Sequence, residues 1–331
     1  MIYYDTLKIK MSIESEDKNS APYVGFPITA SCAFECSYCT PGGETAPSEI
    51  PVFDKDLLLE TARTAYELGS RKFRITGGEP FMHPELGSIL FGLSEYQDTQ
   101  TTVNTTGIPL IDRQGILTNT PENVHFVVSL DSLKPEVLQI IRPSRIPNYR
   151  ERILQSITEL SNKGILKRLN MVVTKYNVDE VFDILRYCEE IGTDLKIADV
   201  AENKDQNLAI DDVYVPIDGI EVQLRSAADY TEEHVYSQNH GIPSNIYHVN
   251  GVGVTVKNSK NGSRYNPDAN YCGNCEYYPC HEGLYFISAL PDGSFSTCRL
   301  NQIQPKNNNQ KEALSEMFTI IENSRLEAGK K

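Results

Sequence analysis

The run Ser31-Cys32-Ala33-Phe34-Glu35-Cys36-Ser37-Tyr38-Cys39 follows a short apolar segment, Gly25 to Ala30, and precedes Thr40-Pro41-Gly42-Gly43. A loop at the C-terminal end of a first strand is where barrel-type α/β enzymes place their chemistry. The spacing C-x3-C-x2-C lets one loop wrap three thiolates around a cubic iron–sulfur cluster and leaves the fourth iron without a protein ligand. The competing assignment is a structural zinc, which needs a fourth ligand close by. No histidine lies near the loop, and Glu35 and Glu44 are the only candidates.

Outward from this loop, apolar runs alternate with segments of helical period. Strands are expected at Gly25 to Ala30, Lys72 to Thr76, Thr101 to Asn104, His125 to Ser129, Lys167 to Val173 and Leu195 to Val200. Helices are expected at Asp54 to Leu68, Glu85 to Glu95, Tyr149 to Lys163 and Val178 to Ile191. Repeated βα units with right-handed crossovers build either an open parallel sheet or a barrel, and periodicity does not choose between them. Beyond Val200 the pattern weakens through polar Ala201 to Asn207. Short strand-like pieces at Ile220 to Leu224, Gly251 to Val256 and Leu284 to Ala289 then suggest a smaller appended domain. A last amphipathic helix is expected from Lys311 to Glu322.

A second motif, Arg74-Ile75-Thr76-Gly77-Gly78-Glu79-Pro80, closes the second expected strand with two glycines that permit close backbone approach and a carboxylate after them. Alone it would be a turn. One βα unit after C-x3-C-x2-C, it resembles the pattern of the radical S-adenosylmethionine (SAM) superfamily, and Tyr38 before the third cysteine fits as well. The resemblance implies a [4Fe-4S] cluster on Cys32, Cys36 and Cys39, with SAM chelating the open iron. It also implies that Gly77, Gly78 and Glu79 clamp the SAM amino group. Thr102, Asn104 and Thr106, Ser129 and Asp131, and Asn170 fall at later strand ends where the family contacts SAM, and Arg142 is a candidate partner for the SAM carboxylate. In such enzymes an electron from the cluster breaks the bond from sulfur to the 5′ carbon, and the resulting 5′-deoxyadenosyl radical takes a hydrogen atom from substrate. No residue need act as a nucleophile.

A third constellation, Cys272-Gly273-Asn274-Cys275, then Cys280 and Cys298, supplies four thiols that suit zinc as well as iron–sulfur. Beside a radical SAM core the iron–sulfur assignment is favoured, giving two [4Fe-4S] clusters in all, with His281 as a neighbour able to substitute as ligand. Within the superfamily, Glu67 to Pro80, Ser129 to Glu136 and Asn170 to Val173 are similar to the GTP 3′,8-cyclases of molybdenum cofactor biosynthesis. That likeness implies a partial (β/α)6 TIM-type barrel over 24–215, an auxiliary-cluster domain over 216–310, an N-terminal extension 1–23 and a helix and tail 311–331. Three departures stand out. The Asn-Arg-x-Arg run of the cyclases is replaced by Glu276-Tyr277-Tyr278-Pro279, the Gly-Gly tail by Ala328-Gly329-Lys330-Lys331, and Cys280 is additional. Lost guanidinium contacts weaken a nucleotide site, at about 1.5–3 kcal/mol for each charge-assisted bond. With Cys280 as a ligand the second cluster would relay electrons; without it an open iron could bind substrate.

Arg74, Arg168 and Lys196 lie on expected strands and Arg299 follows the last cysteine, so all four are candidates for holding an anionic group. The expected function is a radical SAM enzyme acting on a small anionic or nucleoside-type substrate, with an external reductant such as flavodoxin or ferredoxin. A peptide-modifying or dehydrogenating enzyme of the auxiliary-cluster families is the alternative; a non-catalytic metal protein is the alternative of a different class. A net charge of −14 argues against a general nucleic-acid binder. No run approaches a membrane span, and Met1 to Met11 lacks a signal-peptide pattern, so the expected location is the cytoplasm. Of the 8 cysteines only Cys188 stands apart from the two clusters, on an amphipathic helix, where a core role is expected.

Overall fold

The computed structural model describes residues 21–39, 52–108, 111–200, 212–235, 244–258, 284–298, 303–307 and 309–328. Cys272, Cys275, Cys280 and Arg299 lie outside the described residues.

Six strands come first: β1 (Tyr23–Pro27), β2 (Lys72–Thr76), β3 (Gln100–Thr105), β4 (Val124–Ser129), β5 (Leu166–Val173) and β6 (Asp194–Asp199). They lie side by side in chain order, each parallel to the next. The crossovers are helical: α1 (Lys55–Glu67), α2 (Leu86–Ser94), α3 (Gln114–Thr118), α4 (Pro135–Ile141), α5 (Tyr149–Asn162) and α6 (Val181–Ile191). This is an unclosed, partial (β/α)6 barrel. One set of alternate strand residues is fully buried, among them Val24, Phe26, Phe73, Ile75, Val103, Phe126, Leu169, Ile197 and others that form the core with the helices. Local sequence explains the helices. Asp54 caps α1 by accepting from the Leu57 N–H at 2.9 Å, and α6 ends at Gly192, whose φ of +66° suits glycine. Cys188 is fully buried in that core.

The C-terminal strands join the same sheet. Strand β9 (Val252–Lys257) pairs parallel with β6, followed outward by antiparallel β8 (Ser244–Val249) and β7 (Tyr230–Val235). At the other edge β10 (Phe286–Ala289) pairs parallel with β1, and β11 (Phe295–Ser296) lies antiparallel beyond it. The full order is β11-β10-β1-β2-β3-β4-β5-β6-β9-β8-β7. Residues Ile220 to Leu224, expected as a strand, instead lie within helix α7 (Asp218–Ala227). Ile220, Val222 and Leu224 alternate as in a strand, but only Ile220 and Leu224, four apart, are buried, while Val222 is 66% exposed. The last helix, α8 (Gln310–Ala328), buries Leu314, Met317 and Ile321 and reaches α1 through Gln310 Nε2, which donates to Thr61 Oγ1 at 2.7 Å. Among the described residues no helix is long and apolar enough to cross a membrane.

Candidate functional site

The cysteine loop leaves the C-terminal end of β1 and is tied down from across the barrel. The Glu35 and Ser37 N–H groups donate to the carbonyls of Pro143 and Ile141 at 3.1 and 2.9 Å, and Ser144 Oγ donates to the Ala33 carbonyl at 3.0 Å. Phe34 is buried edge-on against Tyr149, with ring centroids 5.5 Å apart. Cys32 and Cys39 are exposed and Cys36 is half-buried, and none of the three is in a disulfide among the described residues. Although Cys32 is exposed as a residue, protein crowds its thiol, and that desolvation pushes it up to about 11; burial also raises Cys36, against the Arg142 guanidinium beside it. The loop does not gather its thiols as for one ion: among the described residues no three His, Cys, Asp or Glu side chains converge that way. Three thiols on one anchored loop at the mouth of the barrel are nevertheless the donor set an iron–sulfur cluster takes, and ligation would release their protons.

The Gly-Gly-Glu-Pro motif locks onto this loop. Gly77 has φ +123°, and an added Cβ would meet the Thr29 carbonyl oxygen at 2.4 Å; at Gly78 it would meet that of Ser31 at the same distance. The close approach is therefore to the start of the cysteine loop, sealed by Gly78 N–H to the Thr29 carbonyl at 2.7 Å and Glu79 N–H to the Ser31 carbonyl at 2.8 Å. Glu79 is fully buried. Its Oε1 accepts from the Phe81 N–H and Thr105 Oγ1 at 3.0 and 2.8 Å, and its Oε2 from the Thr106 N–H and Oγ1, both at 2.6 Å. Burial raises its pKa despite these donors. The carboxylate thus joins the ends of β2 and β3.

After β4 lies a second buried network. Asp131 Oδ1 accepts from the Val172 N–H at 2.8 Å, and Oδ2 accepts from the Tyr38 hydroxyl at 2.5 Å. Arg142, 1% exposed, places Nη1 3.6 Å from Asp131 Oδ2, donates to the Ser129 carbonyl at 2.7 Å, and lies over the Phe34 ring at 4.3 Å. Burial opposes its charge, but Cys36, Tyr38 and Asp131 more than offset this and hold it firmly cationic. Burial likewise raises Asp131 and Tyr38. Nearby, buried Glu180 accepts from Ser132 Oγ and the Leu133 N–H, and Asn177 Nδ2 donates to the Asp131 carbonyl. The parts of these networks contributed by Phe34, Asn177 and Glu180 were not legible in sequence, because nothing local signals partners so far apart in the chain.

The remaining candidates share the inner face of the sheet, opposite the helices. Neighbours in register on parallel strands point the same way. Arg74 pairs with Thr102, Ser129 with Asn170, and Asn170 with Lys196, while Asn104 and Arg168 both pair with Val127. Arg168 Nε donates to Asn170 Oδ1 at 3.0 Å, and Arg74 Nη1 to the Tyr23 hydroxyl at 3.4 Å. Burial, then the like charge of Arg74, depress Arg168, with Asp194 acting in the opposite sense. Cys298 sits elsewhere. Ser296 pairs with Ser288, which pairs with Gly25, and Thr297 Oγ1 donates to the Phe286 carbonyl at 2.6 Å. The antiparallel run thus carries Cys298 toward the N-terminal end of β1, opposite the end that bears the cysteine loop. Its backbone has φ +64°, uncommon for a residue with a side chain.

In comparisons with known proteins, the radical SAM superfamily matches residues 26–188. A probable GTP 3′,8-cyclase of Methanothermobacter thermautotrophicus is 25% identical over 292 residues, 86% of this chain and 87% of the relative. The GTP 3′,8-cyclase of Sulfurimonas denitrificans is 29% identical over 197 residues, 59% of this chain and 60% of the relative. Among solved structures, Streptococcus suis SuiB bound to precursor peptide SuiA aligns with TM-score 0.62 at 17% identity, over 90% of this chain and 65% of that one. The structure of anSMEcpe with bound AdoMet aligns with TM-score 0.58 at 14% identity, over 94% and 84%. At these identities the structural likeness establishes the fold.

Proposed function

The chain belongs to the radical SAM superfamily through residues 26–188 and is a radical SAM enzyme, and from that premise we propose that it acts on a small anionic or nucleoside-type substrate, in chemistry related to GTP 3′,8-cyclisation. The observation that carries this reading is the placing of Arg74 on β2 and Arg168 on β5 toward the same inner face of the sheet, where burial first and then the charge of Arg74 depress Arg168. Like charges held together in a partly desolvated cavity repel, and an anion between them relieves the repulsion. Lys196 on the same face adds a third cation, and Arg299 is proposed as a fourth.

A cluster on Cys32, Cys36 and Cys39, with SAM, would supply a 5′-deoxyadenosyl radical able to remove a hydrogen atom. The protein's own part is positioning and the exclusion of water. Gly77, Gly78 and Glu79 fix the loop that bears the thiols, while Thr102, Asn104, Ser129 and Asn170 offer polar contacts to SAM from the strand ends. Cys272, Cys275, Cys280 and Cys298 are proposed to hold a second cluster. Cys298 near the N-terminal end of β1 supports a site approached from the other end of the barrel, with substrate between. An external reductant such as flavodoxin or ferredoxin completes the system.

The test is incubation of the anaerobically reconstituted enzyme with SAM, reductant and candidate nucleotides deuterated at each ribose position. Transfer of deuterium into 5′-deoxyadenosine from a labelled nucleotide, weakened by Arg168→Gln, is the expected result. No transfer from any position of GTP, where another candidate gives transfer, removes the cyclase reading; transfer from a peptide alone removes the small-substrate reading.

A further inference from the structure

Arg142 is the largest side chain fully buried among the described residues, and a radical mechanism leaves its charge without an obvious task. Its partners all belong to one construction. The guanidinium touches the Ser129 carbonyl at the end of β4, Asp131 two residues on and the face of Phe34 inside the cysteine loop, and its charge reaches the thiol of Cys36. Tyr38, also in the loop, bonds to the same Asp131 oxygen that faces Arg142. The backbone adds two clamps from the segment beginning at Arg142's helix, through Ile141 and Pro143 to Ser37 and Glu35. At 1% exposure neither the Arg142 nor the Asp131 side chain opens to a bound molecule, so both face the loop rather than the cavity.

We propose that Arg142 and Asp131 are positioning residues that form a buried charge pair behind Cys36, fixing the loop and setting the reduction potential of the cluster it holds. This rests on the reading of Cys32, Cys36 and Cys39 as cluster ligands. Each electron added to a thiolate-ligated cluster makes it more negative. A buried cation beside a ligand sulfur stabilises the reduced form and raises the potential, and a buried carboxylate lowers it. The two residues therefore act with opposite sign on one quantity, and Asp131 also orients Tyr38 and Arg142. Generic loosening of the loop would not produce opposite signs.

The experiment is an EPR-monitored redox titration of the full-length reconstituted protein, read on the signal that Cys32→Ala abolishes, with iron and sulfide counts and the rate of iron loss to a chelator. Arg142→Gln is expected to shift the midpoint to more negative potential and speed iron loss, Arg142→Lys to restore much of both, and Asp131→Asn to shift the midpoint the other way. Where Arg142→Gln alone fails to fold, the double variant Arg142→Gln/Asp131→Asn compared with Asp131→Asn reads the arginine separately, with the same negative shift expected. Unchanged potentials, or shifts of one sign in every variant, overturn the proposal while leaving the cluster intact. Absence of a Cys32-dependent signal in the wild type would overturn the cluster reading itself.

Discussion

Gly78→Ala isolates the joint between the two motifs. Its Cβ would lie 2.4 Å from the Ser31 carbonyl oxygen and 2.8 Å from that of Ala30, both backbone atoms that no rotamer can move. Restoring an ordinary contact near 3.4 Å requires a displacement of about 1 Å between the end of β2 and the start of the cysteine loop. Two hydrogen bonds span that gap, at 2.7 and 2.8 Å, and a shift of this size takes both out of range. Stranding their buried groups costs about 1–3 kcal/mol each, so about 2–6 kcal/mol in all. That is a large share of the stability of an ordinary domain, about 5–15 kcal/mol. Urea unfolding of the metal-free protein measures the cost, and iron uptake on reconstitution measures the loop. Gly115→Ala is the control: nothing lies within 4 Å of its added Cβ, and in helix α3 the change is expected to stabilise by about 0.5 kcal/mol. A Gly78→Ala protein within about 0.5 kcal/mol of wild type, taking up iron normally, would refute the reasoning.

Glu79→Gln replaces one acceptor oxygen by a donor facing two donors, and a loss of about 3 kcal/mol is expected from two charge-assisted bonds. Burial raises the Glu79 pKa above its unfolded value, so the folded state binds the proton more tightly. Wild type should therefore gain stability as pH falls through that raised pKa, with the gain complete below the unfolded value, and the variant should lack this component of the unfolding curve. In metal-free protein, Cys32, pushed up to about 11, should alkylate slowly near neutral pH and faster as pH climbs toward that value. Cys188, pushed up to about 12 by burial, should label only in denaturant, which mass spectrometry of the labelled peptides can check. Arg168→Gln should weaken binding of the anionic substrate about tenfold or more, the equivalent of one charge-assisted bond, read as a rise in KM.

The parallel core was legible because each strand is a short apolar run followed by a polar turn and an amphipathic helix, a pattern carried entirely by nearby residues. Helices α3 and α4, of 5 and 7 residues, fell below the length at which periodicity speaks. Strands β7 and β8 escaped because Tyr230–Val235 is polar and on the sheet edge, and Ser244–Val249 buries only Tyr247 and Val249. Ile220 to Leu224 misled because alternation over five residues fits a strand and one helical turn alike. At the site, thiol spacing and Gly-Gly-Glu-Pro singled out two loops that the fold bonds together, but not their partners. Tyr38 and Asp131 are 93 residues apart in sequence and meet at 2.5 Å, a pairing set by the tertiary fold.

Among the described strands, the one that carries the cysteine loop is the first to be synthesised and among the last to be finished. One edge of β1 finds β2 soon after, but the other waits for β10, where Tyr23 meets Phe286. At about 5–20 residues per second the wait on the ribosome is on the order of tens of seconds. Throughout it an unpaired β-edge and three reduced thiols stand side by side, open to mispairing and to oxidation. Late closure by β10 also leaves a long interval in which iron and sulfide can reach the loop before the sheet is complete, so yield should depend on anaerobic handling during expression as much as on the stability of the finished fold.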